Sequence, residues 1–73
     1  MPNLKINPEG CRCVIKRAGL ANNELARLIG LDRSIVSRVL RGEVRPGNRF
    51  IAGMLSLFGI SLFSELFTME EED

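Results

Sequence analysis

Apolar positions near the start of the chain recur with the period of a helix. Four of them share one helix face at spacings of three and four residues: Cys11, Val14, Ile15 and Ala18. Residues 7–9, Asn-Pro-Glu, supply an N-cap, a proline for the first helical position and an acid for the first turn. Gly19 supplies a stop. The pattern therefore predicts a first helix over about residues 8–18.

Two more helices follow, separated by a very short turn. The second begins near residues 21–22 and stops at Gly30, with its apolar stripe on Leu25, Leu28 and Ile29. Asp32 is a suitable N-cap for the third helix, which runs to about Arg41 and ends at Gly42. A pair of helices joined by a few residues that include glycine is typical of the helix-turn-helix unit.

The last third of the chain predicts two further helices. A fourth covers about residues 48–58 and stops at Gly59. A short fifth helix, capped by Ser61, holds Leu62, Leu66 and Phe67. No alternating Val/Ile/Thr-rich run and no Asn-Gly or Asp-Gly hairpin signal is present, so we expect an all-α domain of five short helices over residues 1–69. Residues 68–73 are expected to fray, the last four forming an acidic tail.

Charge is segregated along the 73 residues, although the net charge is only +1. Residues 1–50 hold ten bases and four acids, which gives +6. Residues 51–73 hold five acids and no base, which gives −5. A basic body of this kind favours a surface that binds a polyanion.

Several classes of function are disfavoured by composition. The chain has no histidine, tryptophan or tyrosine, so histidine-based catalysis and Cys/His zinc sites are excluded, and we expect neither enzymatic activity nor a cofactor or metal. Its two cysteines predict a small core residue, Cys11, and a reduced, partly exposed thiol, Cys13. Its four aromatic residues are all phenylalanine on apparent core faces or near the C-terminus, which disfavours base stacking on single strands.

Neither a signal peptide nor a membrane span is predicted. The first seven residues lack an apolar stretch. The longest uncharged stretch, residues 50–64, is shorter than the roughly 20 residues that a bilayer requires. We therefore expect a soluble, cytoplasmic protein.

The third helix has two chemically distinct sides. At 100° per residue, the apolar side is formed by Val36, Val39 and Leu40. The opposite side carries Ser34, Ser37, Arg38 and Arg41, with Arg33 at the N-terminal end. Arginine can donate two parallel hydrogen bonds to guanine, and serine can bond a base edge or a phosphate. An ordinary solvent-facing side mixes Glu with Lys, whereas no acid follows the cap here, so the pattern favours a DNA groove.

These motifs resemble the lambda-repressor-like (Xre or Cro-type) helix-turn-helix family. The resemblance is carried by LANNELARLIGLDRSIVSRVLRG at 20–42, RPG at 45–47 and LFGIS at 57–61, and it extends over about residues 8–67. It implies a compact five-helix domain in which helices two and three form the helix-turn-helix. It also implies sequence-specific binding of double-stranded DNA.

The resemblance further implies roles for single residues. The base-reading positions correspond to Arg33, Ser34, Ser37 and Arg38. The positions that contact DNA phosphates correspond to Asn22, Arg41, Arg45 and Arg49. Ala26 and Gly30 correspond to the small residue and turn glycine that allow the two helices to pack closely.

Two departures from the family pattern are visible. Ala21 replaces the usual Ser or Thr N-cap, which leaves open a shift of the cap to Asn22. Position 40, often a glutamate that pairs with an arginine on helix one, is Leu40, and its partner position is Ile15. Replacing both partners together avoids leaving a single buried charge.

Three apolar residues keep two interpretations each. Ile35 either contacts a thymine methyl or borders the core. Phe63 and Met69 either complete the core or lie outside it. An exposed Phe63 would mark a dimer contact through helix five. Phe67 is assigned to the core.

The leading hypothesis is a small repressor of phage, plasmid or mobile-element type, bacterial or phage-encoded and associated with the nucleoid. As a homodimer it would present two recognition helices roughly 34 Å apart. The short chain predicts regulation by abundance, a partner or proteolysis rather than by a small ligand. The alternative is an antitoxin or similar interaction module that binds a partner protein through its C-terminal helix and autoregulates its operon.

Overall fold

The computed structural model describes residues 2–71, and side chains within residues 4–69. Its elements are β1 (Pro2–Ile6), α1 (Pro8–Arg17), α2 (Asn22–Ile29), α3 (Arg33–Leu40), α4 (Asn48–Phe58), a 3₁₀ turn (Ile60–Leu62), α5 (Phe63–Leu66) and β2 (Phe67–Glu71). The five predicted helices are present in this part of the chain, and the helix-turn-helix is formed by α2 and α3 as expected. A two-stranded sheet that the sequence did not predict joins the two ends.

The start of α1 is attached to the end of α5 through Asn7. The Asn7 side chain is the predicted N-cap, and it accepts a hydrogen bond from the Gly10 backbone N–H at 3.3 Å. Its amide group donates to the Glu65 carbonyl at 3.1 Å, and its backbone N–H donates to the Leu66 carbonyl at 2.9 Å. One residue therefore caps a helix and connects segments that are far apart in sequence.

The N-caps of α2 and α3 are Ala21 and Asp32, and neither side chain accepts a hydrogen bond from the helix backbone. Ala21 keeps the N-cap position of α2, and Asn22 is the first residue of the helix, so the cap does not shift. The Glu24 carboxylate accepts a hydrogen bond from the Ala21 backbone N–H at 3.2 Å. This is the half of a capping box that does not require a polar side chain at the N-cap. Asp32 is the N-cap of α3, but its carboxylate accepts from the Ser34 hydroxyl at 3.3 Å instead of from the backbone.

The predicted fifth helix is shorter than expected and begins later. Ser61 lies inside the 3₁₀ turn, so it does not cap α5, which has only four residues. Phe67 belongs to β2 rather than to the helix. Gly59, with φ of 94°, interrupts the helical backbone where a side chain would be strained.

The sheet corrects the expectation that the chain frays from Thr68. Strands β1 and β2 are antiparallel, with Leu4 opposite Met69 and Ile6 opposite Phe67. Side chains on one face alternate with those on the other, so Ile6 and Phe67 both face the helices and are buried. Strand β2 continues through Glu71, and the rest of the predicted acidic tail, residues 72–73, lies outside the described residues.

The core combines side chains from every helix and from both strands. Its members are Ile6, Cys11, Val14, Ile15, Leu25, Ala26, Val36, Val39, Phe50, Met54, Leu66 and Phe67. Phe67 is 2% exposed, which confirms its assignment to the core, and its ring lies edge-on to Phe50 with centroids 6.5 Å apart. Edge-to-face packing of this kind adds about 0.5–1.5 kcal/mol to the burial itself.

The two cysteines have opposite environments, as predicted. Cys11 is fully buried, and its thiol donates to the Leu66 carbonyl at 3.3 Å. Burial disfavours the thiolate and raises the pKa of Cys11 to about 12. Cys13 is exposed and free. The buried thiol is therefore protonated and unreactive near neutral pH.

Close packing of the helices depends on glycines. A Cβ atom on Gly53 of α4 would lie 2.6 Å from the Cβ atom of Ile29 on α2. Gly30, with φ of 75°, makes the turn between α2 and α3, and the Leu31 N–H donates to the Ala26 carbonyl at 2.9 Å. These contacts fix the orientation of α2 relative to α4 and of α3 relative to α2.

No single helix in the described part of the chain is long and apolar enough to cross a membrane. Asn48–Phe58 and Ile60–Leu66 together match a broken span by length and composition only, and they are bent by 114° relative to each other.

We predict that Gly10→Ala destabilises the domain strongly. A Cβ atom at position 10 would overlap the backbone carbonyl oxygen of Glu65, and a backbone atom cannot move aside as a flexible side chain can. The expected loss is at least 1–3 kcal/mol of unfolding free energy, which urea denaturation would measure. Gly47→Ala is the matched control, because no atom lies within 4 Å of the added group. Equal stability of the two variants would contradict the close approach of α1 and α5.

Candidate nucleic-acid interface

Helix α3 is oriented by burial of its apolar side. Val36 and Val39 are 0% and 1% exposed. Arg33, Ser34 and Arg38 are all exposed on the other side of the helix. Sequence spacing fixes the directions of side chains around a helix, so when the valines of α3 face the core, its arginines face solvent.

One cavity brings part of the predicted site together. It has a volume of about 430 Å³ and lies between α1, the start of α2 and the end of α3. Asn22, Ser37 and Arg41 line it. Ser37 is half-buried there, so it is the least exposed of the four predicted base-reading residues. The cavity therefore connects the arginine-and-serine side of α3 with the start of α2.

Two further basic residues, for which neither the helix pattern nor the family resemblance indicated a role, line the same cavity. They are Arg12 and Lys16, both exposed on α1. Their spacing of four residues places them on one helix face, and that spacing was the only available sign of a shared role. Among the described residues, none that lines the cavity is acidic.

The apolar pair at positions 15 and 40 belongs to this cavity as well. Ile15 is 6% exposed and Leu40 is half-buried, and both line the cavity together with Leu20. An uncompensated charge at either position would be costly to bury, whereas two apolar side chains leave no polar group unsatisfied. The cavity thus has a neutral, apolar floor below basic side chains.

Arg41 has an acidic neighbour outside the cavity. Its Nε atom lies 2.6 Å from Oε2 of Glu43, and both side chains are more than half exposed. Because Glu43 occupies the Nε–H, the terminal N–H groups of the guanidinium remain free to donate elsewhere. An ion pair this exposed contributes only about 0–1 kcal/mol to stability.

The remaining predicted residues do not line this cavity. Arg45 is exposed in the loop after α3 and lines a second cavity of about 310 Å³. Arg49 is exposed in the first turn of α4 and lines neither cavity. Phe63 is half-buried, with its ring 5.6 Å from that of Phe67. Of the four predicted phosphate-contacting residues, Asn22 and Arg41 line the first cavity, and Arg45 and Arg49 do not.

Ile35 presents apolar surface beside the arginines of α3. Its side chain is 47% exposed and is therefore accessible. Both interpretations given for this residue are compatible with that exposure. Met69 is 60% exposed on β2 and so does not complete the core.

The fold and this surface define a helix-turn-helix DNA-binding protein. A family model described as helix-turn-helix matches residues 14–63, which is more than half of the chain. The chain belongs to this lambda-repressor-like (Xre-type) helix-turn-helix family, as the resemblance implied.

One curated relative is similar over 45 residues of the chain. It is the uncharacterized HTH-type transcriptional regulator YvzC of Bacillus subtilis (strain 168), which is 47% identical over 45 residues. The aligned segment covers 62% of this chain and 57% of the relative, so the chain spans a little over half the length of that protein. No solved structure matches.

We predict that Glu43→Gln raises affinity for duplex DNA. The carboxylate pairs with Arg41 and would repel a phosphate that approaches the same guanidinium, whereas glutamine keeps the size without the charge. The expected gain is roughly two- to fivefold at low salt and less at high salt, measured by fluorescence anisotropy. Glu65→Gln on α5 is the matched control and should have little effect, because Glu65 is also exposed but lines neither cavity. Weaker binding by Glu43→Gln would show instead that the carboxylate helps Arg41 to bind DNA.

Proposed function

We propose that the protein is a sequence-specific transcriptional repressor that binds double-stranded DNA as a dimer and places α3 in the major groove. The observation that carries this proposal is the exposed arginine-and-serine side of α3, opposite the buried Val36 and Val39. Membership of the helix-turn-helix family supports it. The curated relative, which is named as a transcriptional regulator, supports the regulatory role.

Base reading is assigned to four residues of α3. Arg33 and Arg38 are exposed, and neither side chain has a hydrogen-bond or ion-pair partner within the described residues, so both can donate in pairs to guanine O6 and N7. Ser34 and Ser37 are short enough to contact base edges where the helix approaches the groove floor. The Ser34 hydroxyl must exchange its bond to Asp32 for such a contact.

Phosphate contacts are assigned to Asn22, Arg41, Arg45 and Arg49. Asn22 is the first residue of α2, where unpaired backbone N–H groups favour an anion. Arg41 follows the last turn of α3 and shares a cavity with Asn22. Contacts of this kind fix the orientation of the helix on DNA without specifying a sequence.

A dimer is supported by apolar surface around the end of α4. Ile60 is 78% exposed and Leu57 is 38% exposed. Phe63 follows in the chain and is half-buried. We assign the dimer contact to this segment, with Phe63 adding its accessible edge, so that a twofold axis would present two α3 helices to half-sites about one helical turn apart.

The same apolar segment supports a second candidate, an antitoxin that binds a partner protein and represses its own operon. A stable complex with the product of a neighbouring gene on co-purification would favour this role, and a homodimer alone would favour the simple repressor. In either case we assign the protein to the bacterial cytoplasm, with phage, plasmid or another mobile element as its source, and with no enzymatic activity and no cofactor.

Selection of binding sites from a random duplex library tests the proposal directly. We expect a palindromic site whose half-sites lie one helical turn apart, because a twofold dimer reads the same bases twice. Absence of any preference over random duplex at physiological salt would reject sequence-specific regulation.

We predict different losses for Arg38→Ala and Arg41→Ala. Arg38→Ala should cost roughly 1–3 kcal/mol and relax specificity at one base position of each half-site. Arg41→Ala should weaken binding to all sequences about equally and flatten the salt dependence. Anisotropy titrations on the selected site, its single-base variants and random duplex measure both effects. A strongly sequence-dependent loss in Arg41→Ala would contradict its assignment to phosphate.

A further inference from the structure

We infer that α1 is a further DNA-contacting element, and that Arg12 and Lys16 hold a deoxyribose-phosphate group of the DNA backbone in the cavity they share with Arg41. This inference rests on the proposed function, because it concerns the same DNA. It adds two residues and a fourth helix to the interface assigned above, which already includes residues of α2, α3 and α4.

The charge of the cavity favours an anion. Arg12, Lys16 and Arg41 line it, and no acidic side chain of the described residues does. Arg12 and Lys16 are exposed and have no ion-pair partner among the described residues, and they lie one helical turn apart. A positively lined concavity concentrates the field of its charges and attracts a phosphate more strongly than a flat surface does.

The floor of the cavity favours a phosphate that carries a sugar. Ile15, Leu20 and Leu40 form an apolar base below the charged groups. A volume of about 430 Å³ leaves room for more than a single phosphate. The C–H groups of deoxyribose can cover the apolar base while the phosphate oxygens accept from the guanidinium and ammonium groups.

The position of the cavity makes the DNA backbone the appropriate source of this group. Ser37 and Arg41 line the cavity from α3 and its C-terminal end, and Asn22 begins α2, so the cavity is continuous with the elements assigned to DNA. A backbone held against α1 on one side and α3 on the other would restrict how α3 enters the groove. Arg12 and Lys16 therefore act as orienting residues as well as a source of affinity.

The test compares the double variant Arg12→Ala/Lys16→Ala with Arg17→Ala on the same helix. Arg17 is exposed but lines neither cavity, so it controls for loss of general positive charge. We expect the double variant to fold normally by circular dichroism and to bind DNA at least tenfold more weakly at low salt. The magnitude of the slope of log K against log salt should decrease by up to about 0.9, since one phosphate contact is lost. The loss should be similar on selected and random duplex.

A backbone-modified duplex gives the inference a positional readout. Neutral methylphosphonates are placed one at a time through the half-site, and one position should weaken the wild-type protein and Arg17→Ala but leave the double variant unaffected. An unchanged salt slope, an equal effect of Arg17→Ala, or the absence of such a position would overturn the inference. The inference would also be overturned if thymidine monophosphate bound saturably through Arg12 and Lys16 while the salt dependence of DNA binding did not depend on these two residues. The cavity would then bind a free nucleotide and not the DNA backbone. Site selection with the wild-type protein would still succeed in each case, which separates this failure from failure of the proposed function.

Discussion

The interface depends first on burial of Val36 and Val39 beneath α3. These two valines are almost completely inaccessible, and a single turn of helix separates them. Burying a valine contributes roughly 1.5–3 kcal/mol, so rolling the helix to hide its arginines would expose apolar surface and bury charge at once. The left-handed Gly30 and the Leu31 N–H bond to Ala26 set where the helix begins. Core packing therefore determines which side chains a duplex would meet.

The two ends of the chain hold the rest of the domain against this unit. Asn7 bonds the backbone of residues 65 and 66, Gly10 lets α1 approach α5 closely, and the β1–β2 ladder extends the connection to the termini. In a chain of 73 residues the core is small, so such non-local backbone bonds matter for its stability. They also fix α1, whose outer face forms one wall of the cavity next to α3. The position of Arg12 and Lys16 thus depends on the contacts between the N-terminal and C-terminal segments.

Local patterns predicted the helices well and the sheet not at all. Asn7, Gly30 and the i, i+3, i+4 spacing of Cys11, Val14 and Ile15 are features of neighbouring residues, so they identified α1, α2 and the turn. Residues 3–7 and 67–70 do alternate between apolar and polar side chains, but runs this short are weak signals. The pairing of Leu4 with Met69 joins positions far apart in sequence, and neither run indicates its partner. Likewise, the family pattern indicated Asn22 and Arg41, whereas the inclusion of Arg12 and Lys16 depends on the packing of α1 beside α3, which a one-dimensional pattern does not contain.

The apolar pair Ile15 and Leu40 connects stability with binding at this surface. In a buried Arg–Glu pair at these positions each charge would neutralise the other, but the cost of desolvation would offset much of their attraction. Loss of either partner would leave an uncompensated buried charge and destabilise the domain strongly. Two apolar residues carry no such risk, and they also leave the cavity without an internal carboxylate. The positive charge of Arg12, Lys16 and Arg41 is then not reduced by a carboxylate from inside the cavity, and the acid that pairs with Arg41, Glu43, does not line it. Replacing an arginine and a glutamate together removes one charge of each sign and leaves the net charge unchanged, so the charge that a phosphate would meet here is that of the three exposed basic side chains.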